Sequence, residues 1–207
     1  MNSADATPSN AAGSVDASAP SDSELVQQSQ HGDTAAFEEL VSRYRERVFG
    51  LAYGLARNEH DAQDLCQEAF IRAWRSIGRF RGQSSVYTWL YRITTNLTMD
   101  MVRRRSRAKM VEFDDGVGRD PERERRGVEL VGGTVPSEEA FRADQRAAIE
   151  RAMEQLTPDH RAVVLLKDFE GLEYKEIAKV VGCSPGTVMS RLFYARRHLQ
   201  RLLKDVL

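Results

Sequence analysis

The chain has 207 residues, of which 41% are hydrophobic and 29% are charged, and its formal net charge is −1. This length predicts one or two domains. The longest aliphatic run, VVLL at 163–166, is much too short to span a membrane. The first residues contain no Lys, no Arg and no apolar core, so we expect neither a signal peptide nor direct membrane insertion. These features predict a cytoplasmic protein.

Charge is segregated along the chain although the total is near zero. Residues 1–69 have a net charge of −8, and residues 70–109 have a net charge of +9. Residues 110–150 return to −5, and residues 151–207 reach +3. The alternation predicts two surfaces that bind a polyanion, separated by an acidic connector.

The cysteines and histidines give no sign of a metal site or of catalysis. Cys66 and Cys183 are far apart, and neither has a Cys or His at metal-ligand spacing. Packing in a reducing compartment is the expected role of both. The four histidines have no nucleophile or ligand cluster near them in sequence. We therefore expect no cofactor, no metal and no enzymatic activity.

The N-terminal half is predicted to be helical after a short tail. Residues 1–22 are rich in Ser, Ala, Asn, Asp and Pro and are expected to be disordered. A first helical domain is predicted over 23–109. Its first long helix has the apolar stripe Phe37, Leu40, Val41, Tyr44, Val48, Leu51, Ala52 and Leu55. The segment RNEH at 57–60 interrupts it, and Asp61 is expected to begin the next helix.

This second helix has an outward row as well as an inward stripe. The inward positions are Ala62, Leu65, Cys66, Ala69, Phe70, Ala73, Trp74 and Ile77. Asp64, Gln67, Glu68 and Ile71 recur on the opposite side at i, i+3, i+4 and i+7. An exposed Ile is ordinary in itself, but at the centre of a polar row it could anchor a partner helix.

A glycine- and serine-rich loop and a third helix carry the positive charge of this domain. The loop GRFRGQSS occupies 78–85, and the helix is expected from Val86 to Arg104. Arg92, Asn96, Asp100 and Arg103 follow one side of that helix. A basic strip beside aromatic residues suits the binding of single-stranded nucleic acid with unstacked bases. The alternative is that Tyr87, Trp89 and Tyr91 belong to the core and that the arginines form a solvated face.

The remainder predicts a connector and a second helical domain. Residues 110–136 contain five glycines and two prolines without a steady period, which is typical of a flexible linker. Helix is expected to resume at Ser137, to restart after the Thr157–Pro158 cap, and to stop at Gly171. The second domain, 137–207, then has about four helices. With no alternating strand pattern, the fold class is all-α: two small helical domains joined by a flexible linker, the second containing a helix-turn-helix.

The helix-turn-helix is predicted within YKEIAKVVGCSPGTVMSRLFYARR, residues 174–197. Ile177, Ala178 and Val181 lie on one side of a short helix, and Gly182 is suited to end it in a left-handed conformation. Ser184 and Pro185 are a cap and a first-turn proline for the next helix. The stripe of that helix is Val188, Leu192, Ala195, Leu199 and Leu202.

The face opposite this stripe predicts DNA binding. It carries Gly186, Ser190, Phe193, Tyr194, Arg197 and Arg201. Between Gly182 and Lys204 there are five basic residues and no acidic residue. A basic exposed face on the second helix of such a pair is the layout that enters a major groove. The alternative is an ordinary helix pair with a solvated face.

Together these segments resemble a known family. DAQDLCQEAFIRAWRSIGRFRGQSSVYTWLYRITTN, the acidic linker and LTPDHRAVVLLKDFEGLEYKEIAKVVGCSPGTVMSRLFYARRHL resemble bacterial RNA polymerase sigma factors of the extracytoplasmic-function group. The resemblance covers about residues 24–207, with both domains in order, and is strongest to the envelope-stress type. It implies an alternative sigma factor that binds the β′ and β subunits of core RNA polymerase and promoter DNA, under the control of an anti-sigma factor.

The resemblance also implies roles for individual residues. The row Asp64, Gln67, Glu68 and Ile71 would bind core polymerase. The −10 promoter element would be bound by Phe80, Arg81, Gly82, Gln83, Ser84, Ser85, Arg92, Asn96 and Arg103. The −35 element would be bound by Gly186, Thr187, Met189, Ser190, Arg191, Phe193, Tyr194 and Arg197. Met189 and Tyr194 stand where relatives often carry Arg or Lys, so the preferred −35 sequence does not follow from the resemblance.

The principal alternative is a free-standing helix-turn-helix regulator with an N-terminal sensory domain. Such a regulator would need a dimer interface for a palindromic site. No spare apolar stripe is available in the sequence to form one. Co-purification with polymerase would distinguish the two functions.

Overall fold

The computed structural model describes the backbone of residues 19–114 and 138–204, and the side chains of 19–105 and 143–204. Regular structure in these ranges is entirely helical, which confirms the predicted all-α class. The helices are α1 Asp22–Gln30, α2 Thr34–Ala56, α3 Glu59–Ser76, α4 Val86–Asp114, α5 Glu138–Glu154, α6 Pro158–Val164, α7 Tyr174–Val181 and α8 Pro185–Leu202. A 3-10 turn, Ile77–Arg79, follows α3, and a π-helical turn, Leu165–Phe169, follows α6. None of the described helices is long and apolar enough to cross a membrane.

The helix starts of the first domain are set by polar caps. Ser21 and Glu24 form a reciprocal capping box, with Glu24 Oε2 accepting the Ser21 N–H at 2.7 Å. Helix α1 therefore begins at Asp22, which is the last residue of the predicted disordered tail. Asn58 Oδ1 accepts the Asp61 N–H at 3.0 Å and starts α3 at Glu59, two residues before the predicted position.

The predicted stripes of α2 and α3 form the core of this domain. Leu40, Val48, Leu51, Ala52 and Leu55 are at most 2% exposed, and Ala62, Ala69 and Ala73 are fully buried. Cys66 is buried and unpaired, and its burial raises the pKa of its thiol. A buried thiol with a raised pKa is unreactive, which agrees with a packing role.

Helix α4 is longer than the sequence predicts. It continues to Asp114 rather than ending at Arg104, and so covers the first residues assigned to the linker. No glycine or proline occurs between Arg104 and Gly116, so nothing in the sequence stops the helix earlier. The rest of the predicted linker, and residues 1–18 of the predicted tail, lie outside the described residues.

The second domain follows its predicted signals closely. The Thr157 side chain accepts the His160 N–H at 3.3 Å, with Pro158 in the first turn of α6. Gly171 and Gly182 adopt φ values of +71° and +69°, the left-handed conformation that favours glycine. Ser184 Oγ accepts the Thr187 N–H at 3.1 Å and begins α8 at Pro185.

The two domains pack against each other and share one hydrophobic core. Helix α7 lies on α4, and Val180 of α7 is only 1% exposed. The sequence assigns Val181 to the buried side of α7, but Val181 is half-buried and Val180 is the more enclosed residue. The difference arises because α7 is covered on two sides, by α8 and by α4.

Polar contacts cross the same boundary. Thr88 Oγ1 on α4 donates to Glu176 Oε1 on α7 at 3.1 Å. Glu170 accepts hydrogen bonds from Tyr91 and, at 3.3 Å, from Arg47, both in the first domain. Burial and the neighbouring Glu170 carboxylate raise the pKa of Tyr91, so its hydroxyl stays protonated as a donor.

Arg161 joins the domains through the ends of two helices. Its side chain donates to Leu55 O near the end of α2 at 3.2 Å. It also donates to Met153 O, Glu154 O and Leu156 O around the end of α5, at 2.9, 2.9 and 3.1 Å. The last carbonyls of a helix have no partner within the helix and carry partial negative charge. The buried guanidinium therefore satisfies both C-termini at once.

Replacing Arg161 with alanine should destabilise the whole structure. The substitution leaves carbonyls of two helix ends buried without donors, so the free energy of unfolding should fall by about 2–4 kcal/mol. Urea denaturation followed by circular dichroism measures this change. Arg104→Ala, on an exposed arginine of α4, is the matched control and should change stability by less than about 0.5 kcal/mol. Equal effects of the two substitutions would contradict the capping role.

Candidate nucleic-acid interface

The turn between α7 and α8 fixes the orientation of the predicted recognition helix. Gly182 continues the chain in a left-handed conformation, and the Cys183 N–H donates back to Ala178 O at 3.1 Å. Ser184 then caps α8. Val188, Leu192 and Ala195 are buried against the domain, at 0%, 2% and 0% exposure. The opposite face of α8 consequently points away from the protein.

Seven of the eight predicted −35 residues share this outward face. Six are exposed and Thr187 is half-buried: Gly186, Thr187, Met189, Ser190, Phe193, Tyr194 and Arg197. Arg191 is the exception, because it donates to Asp159 Oδ2 at 2.7 Å and its side chain is 26% exposed. The structure thus holds Arg191 against α6 and away from the outward face.

A groove of about 570 Å³ borders the C-terminal half of this face. Arg197 and Arg201 supply cations to its wall, and its lining contains no carboxylate. Thr157 and His160 form the opposite wall from α6. Such a groove suits a phosphate backbone. The sequence does not predict that Thr157 or His160 belongs to this groove, because only the packing of α6 beside α8 places them there.

The loop before α4 is fixed at both ends. The Gln30 side-chain amide donates to Ile77 O at 3.0 Å and to Phe80 O at 2.9 Å. Gly82 has a φ of +66° at the turn of the loop. Ser85 Oγ accepts the Thr88 N–H at 3.3 Å and caps α4. Residues 80–85 are therefore held as a defined loop over the start of α4.

A basic pocket of about 350 Å³ lies under this loop. Its cations are Arg79, Arg81, Arg92 and Lys179, and its lining has no carboxylate. The remaining lining residues are Phe80, Gln83, Ser84 and Trp89. A pocket with aromatic walls and cations suits an unstacked base and its phosphates. The residues predicted to bind the −10 element do not include Arg79 or Lys179. Arg79 ends the 3-10 turn just before Phe80, and Lys179 belongs to α7 of the other domain.

Most aromatic side chains at the start of α4 belong to the core. Trp89 is 7% exposed and Tyr91 is fully buried, whereas Tyr87 is half-buried. The Phe80 ring packs on Trp89 with centroids 4.9 Å apart. Of the two alternatives that the sequence leaves open, the core assignment holds for Trp89 and Tyr91. The Tyr91 hydroxyl donates to Glu170 of the second domain, so this ring is covered rather than open to bases.

The predicted strip on α4 is exposed and faces a cleft between the domains. Arg92, Asn96 and Arg103 are exposed. Asn96 and Arg103 line a cleft of about 380 Å³ whose other wall includes Asp159 and Arg191. Arg105, farther along the basic run, instead pairs with Asp61 at the start of α3, with Nη2 2.7 Å from Oδ1. Of these cations, Arg103 thus lies opposite the second domain, whereas Arg105 is held within the first.

The outward row of α3 is also formed. Asp64 and Gln67 are exposed, Glu68 is half-buried, and Ile71 is 37% exposed. Glu68 Oε1 accepts from Arg72 Nε at 2.7 Å. An apolar side chain bordered by polar ones on a helix face is typical of an anchor for a partner helix.

No metal site accompanies these surfaces in the described part of the chain. Within residues 19–105 and 143–204, no group of three or more His, Cys, Asp and Glu side chains could hold a metal ion. What the described residues offer is an exposed face on α8, a basic loop pocket and an outward row on α3.

Comparison with known families places both halves of the chain. The Sigma-70 region 2 family matches residues 40–108, from α2 into α4. The Sigma-70 region 4 family matches residues 146–199, from α5 to α8. The two matches account for more than half of the chain.

Individual relatives match over nearly their full length. The RNA polymerase sigma-H factor of Pseudomonas aeruginosa is 37% identical over 90% of this chain and 95% of its own. The ECF RNA polymerase sigma-E factors of Haemophilus influenzae and Escherichia coli K12 are 35% and 34% identical, each over 90% of this chain. They cover 97% and 96% of their own lengths.

Two solved structures have a similar fold, and each is a complex with a second protein. CnrH in complex with the cytosolic domain of CnrY has a TM-score of 0.62 and 25% identity, covering 87% of this chain and 96% of its own. The sigma factor RpoE of Bartonella quintana, in complex with the anti-sigma factor NepR, has a TM-score of 0.60 and 27% identity, covering 81% and 96%. From the two matched regions and these relatives, the chain belongs to the sigma-70 family, as an RNA polymerase sigma factor of the extracytoplasmic-function group.

Proposed function

We propose that this chain is an envelope-stress sigma factor that acts in the cytoplasm, directs core RNA polymerase to its promoters, and is held inactive by an anti-sigma factor. The observation that carries the proposal is the presence of two distinct nucleic-acid surfaces on one chain, α8 and the loop pocket before α4. The complex of the Bartonella sigma factor with an anti-sigma factor supports the regulatory part. The chain is a transcription initiation factor rather than an enzyme in this proposal.

The two surfaces suit different forms of DNA. Helix α8 presents an exposed face flanked by Arg197 and Arg201, as a duplex major groove requires. The loop pocket combines Phe80 with Arg81 and Arg92 in a concave site, which suits an unstacked base of the −10 element. Flipping a base costs a few kcal/mol. The outward row of α3 supplies the attachment to core polymerase that offsets this cost.

The packed arrangement of the domains is an inactive form in this proposal. The −10 and −35 elements lie roughly 25 base pairs apart, which is about 85 Å at 3.4 Å per base pair. In the structure, Asn96 of the −10 strip and Arg191 of α8 line the same cleft. Lys179 of α7 also lines the loop pocket. The domains must therefore separate before both elements can be bound.

The −35 assignment of α8 can be tested through salt dependence. Arg197→Ala should weaken promoter binding by the reconstituted holoenzyme and reduce the slope of log K against log salt by about one phosphate contact. The double variant Ser190→Ala with Phe193→Ala should change which −35 sequence is preferred. Arg196→Ala is the control, because Arg196, although exposed, is paired with Asp168. An unchanged −35 preference in the double variant would show that another face binds the element.

The polymerase assignment of α3 can be tested without disturbing the core. Gln67→Ala with Ile71→Ala should weaken core polymerase binding at least tenfold, since truncating an interface anchor costs about 2 kcal/mol. The melting temperature should remain unchanged. Gln63→Ala, an exposed residue of α3 outside the row, should affect neither quantity. A lower melting temperature with normal polymerase binding would assign Ile71 to packing instead.

Separation of the domains can be tested with a reversible cross-link. A Cβ atom at Gly54 of α2 would lie 2.8 Å from Leu165 Cδ1 and 3.5 Å from its Cγ in the second domain, so the two positions are in direct contact and are the place to introduce a cysteine pair. In a Cys183→Ser background, oxidised Gly54→Cys/Leu165→Cys should fail to initiate transcription, and reduction should restore it. The single-cysteine variants control for the substitutions. Normal initiation by the cross-linked protein would show that the domains need not part.

A further inference from the structure

The outward face of α8 is chemically unusual for a DNA-binding helix. Met189, Phe193 and Tyr194 are 56%, 61% and 58% exposed. The Phe193 and Tyr194 rings are in edge contact, with centroids 5.4 Å apart. Among the described residues, these are three of the six large hydrophobic side chains that are exposed. Exposed apolar side chains grouped in this way mark a binding surface.

Two of the arginines near this apolar patch, which consists of Met189, Phe193 and Tyr194, are paired with carboxylates. Arg191 donates to Asp159 at 2.7 Å, and Arg196 Nε lies 3.2 Å from Asp168 Oδ2. Both side chains are thereby engaged with their own domain. Arg197 and Arg201 are exposed but line the groove beside α6. Arg197 and Arg201 therefore continue beyond the patch toward the C-terminus of α8, where a phosphate backbone would pass, and α8 contains no acidic residue.

The polar side chains beside the patch offer little hydrogen-bond readout. Ser190 Oγ donates to Thr187 O at 3.0 Å, and Thr187 Oγ1 lies 2.9 Å from Ser184 Oγ. Arg and Lys are the usual partners of guanine, and Asn and Gln of adenine. No side chain of these four types belongs to the patch. Thymine is the base that presents an apolar group, its C5 methyl, in the major groove.

We propose that the apolar patch of α8 recognises thymine in the −35 element by burying the C5 methyl groups, with Met189 and Phe193 as the specificity-determining side chains. Met189 and Phe193 are four residues apart, which corresponds to about 6 Å along the helix. That span matches roughly two base-pair steps of 3.4 Å, so the two side chains reach thymines at adjacent or next-adjacent positions. The proposal rests on the proposed function, because it specifies what α8 binds within the −35 element.

Replacing thymine with uracil tests the proposal, since it removes only the methyl group. The holoenzyme, reconstituted from core polymerase and the full chain, would first select its preferred −35 sequence from a randomised duplex pool. Each thymine of that sequence would then be replaced by uracil in turn. At one or two positions, the affinity of the holoenzyme for the uracil-substituted duplex should be about three- to fivefold lower, as expected for the loss of one buried methyl group.

Substitutions identify the side chains responsible. Met189→Ala and Phe193→Ala should each bring the thymine-to-uracil affinity ratio to about one at a different position. Met189→Leu, which keeps an apolar side chain, should preserve the ratio. Arg197→Ala is the matched control: it should weaken binding to thymine and uracil duplexes equally and leave the ratio unchanged.

The outcomes separate the proposal from the function on which it rests. If the wild-type holoenzyme selects no −35 sequence, the −35 assignment of α8 fails and the proposal fails with it. If it selects a sequence but tolerates uracil at every thymine, the function stands and the methyl readout is wrong. If the ratio survives in both alanine variants, other side chains bind the methyl groups and the assignment to Met189 and Phe193 is overturned.

Discussion

The arrangement of the whole molecule depends on satisfying helix C-termini that are buried where two small domains meet. Helices α2 and α5 both end at this boundary, and each leaves carbonyl groups without partners. Arg161 donates to carbonyls of both ends, at distances between 2.9 and 3.2 Å. Burial lowers the pKa of Arg161, yet a guanidinium remains charged in proteins. One cation thus makes the burial of two negative helix ends tolerable.

The contact between the domains at Arg161 determines which parts of the candidate nucleic-acid surfaces are accessible to solvent. With α2 and α6 held together, α7 lies along α4 and its Lys179 reaches the loop pocket. Glu170 and Glu176 accept hydrogen bonds from Tyr91, Arg47 and Thr88 across the boundary. Only the Arg47–Glu170 bond is exposed and therefore weak, because the Tyr91 and Thr88 donors are buried. The boundary also contains the shared hydrophobic core, so opening it requires a partner that binds both domains.

The arginines near the two candidate surfaces differ in whether a carboxylate is paired with them. Arg105 pairs with Asp61, Arg191 with Asp159, and Arg196 with Asp168. Other cations remain outward or line pockets free of carboxylates: Arg79, Arg81, Arg92, Arg197 and Arg201. Carboxylates of neighbouring helices thus remove part of the basic sequence from the binding surfaces. What is left on α8 is an apolar centre with cations along one edge.

Sequence by itself determined the features that are local along the chain. Caps such as Ser184 and Thr157, the left-handed glycines Gly171 and Gly182, and the stripes of α2, α3 and α8 depend only on nearby residues and helical periodicity. Most of the outward face of α8 and the exposure of Ile71 followed from that periodicity. Tertiary structure alone decided the contacts between distant segments: the burial of Tyr91 and Val180, the pairing that withdraws Arg191, and the positions of Lys179 and His160 in the pockets. The physical reason is that periodicity indicates which face of a helix is apolar, whereas the packing of a second domain decides which polar face is also covered.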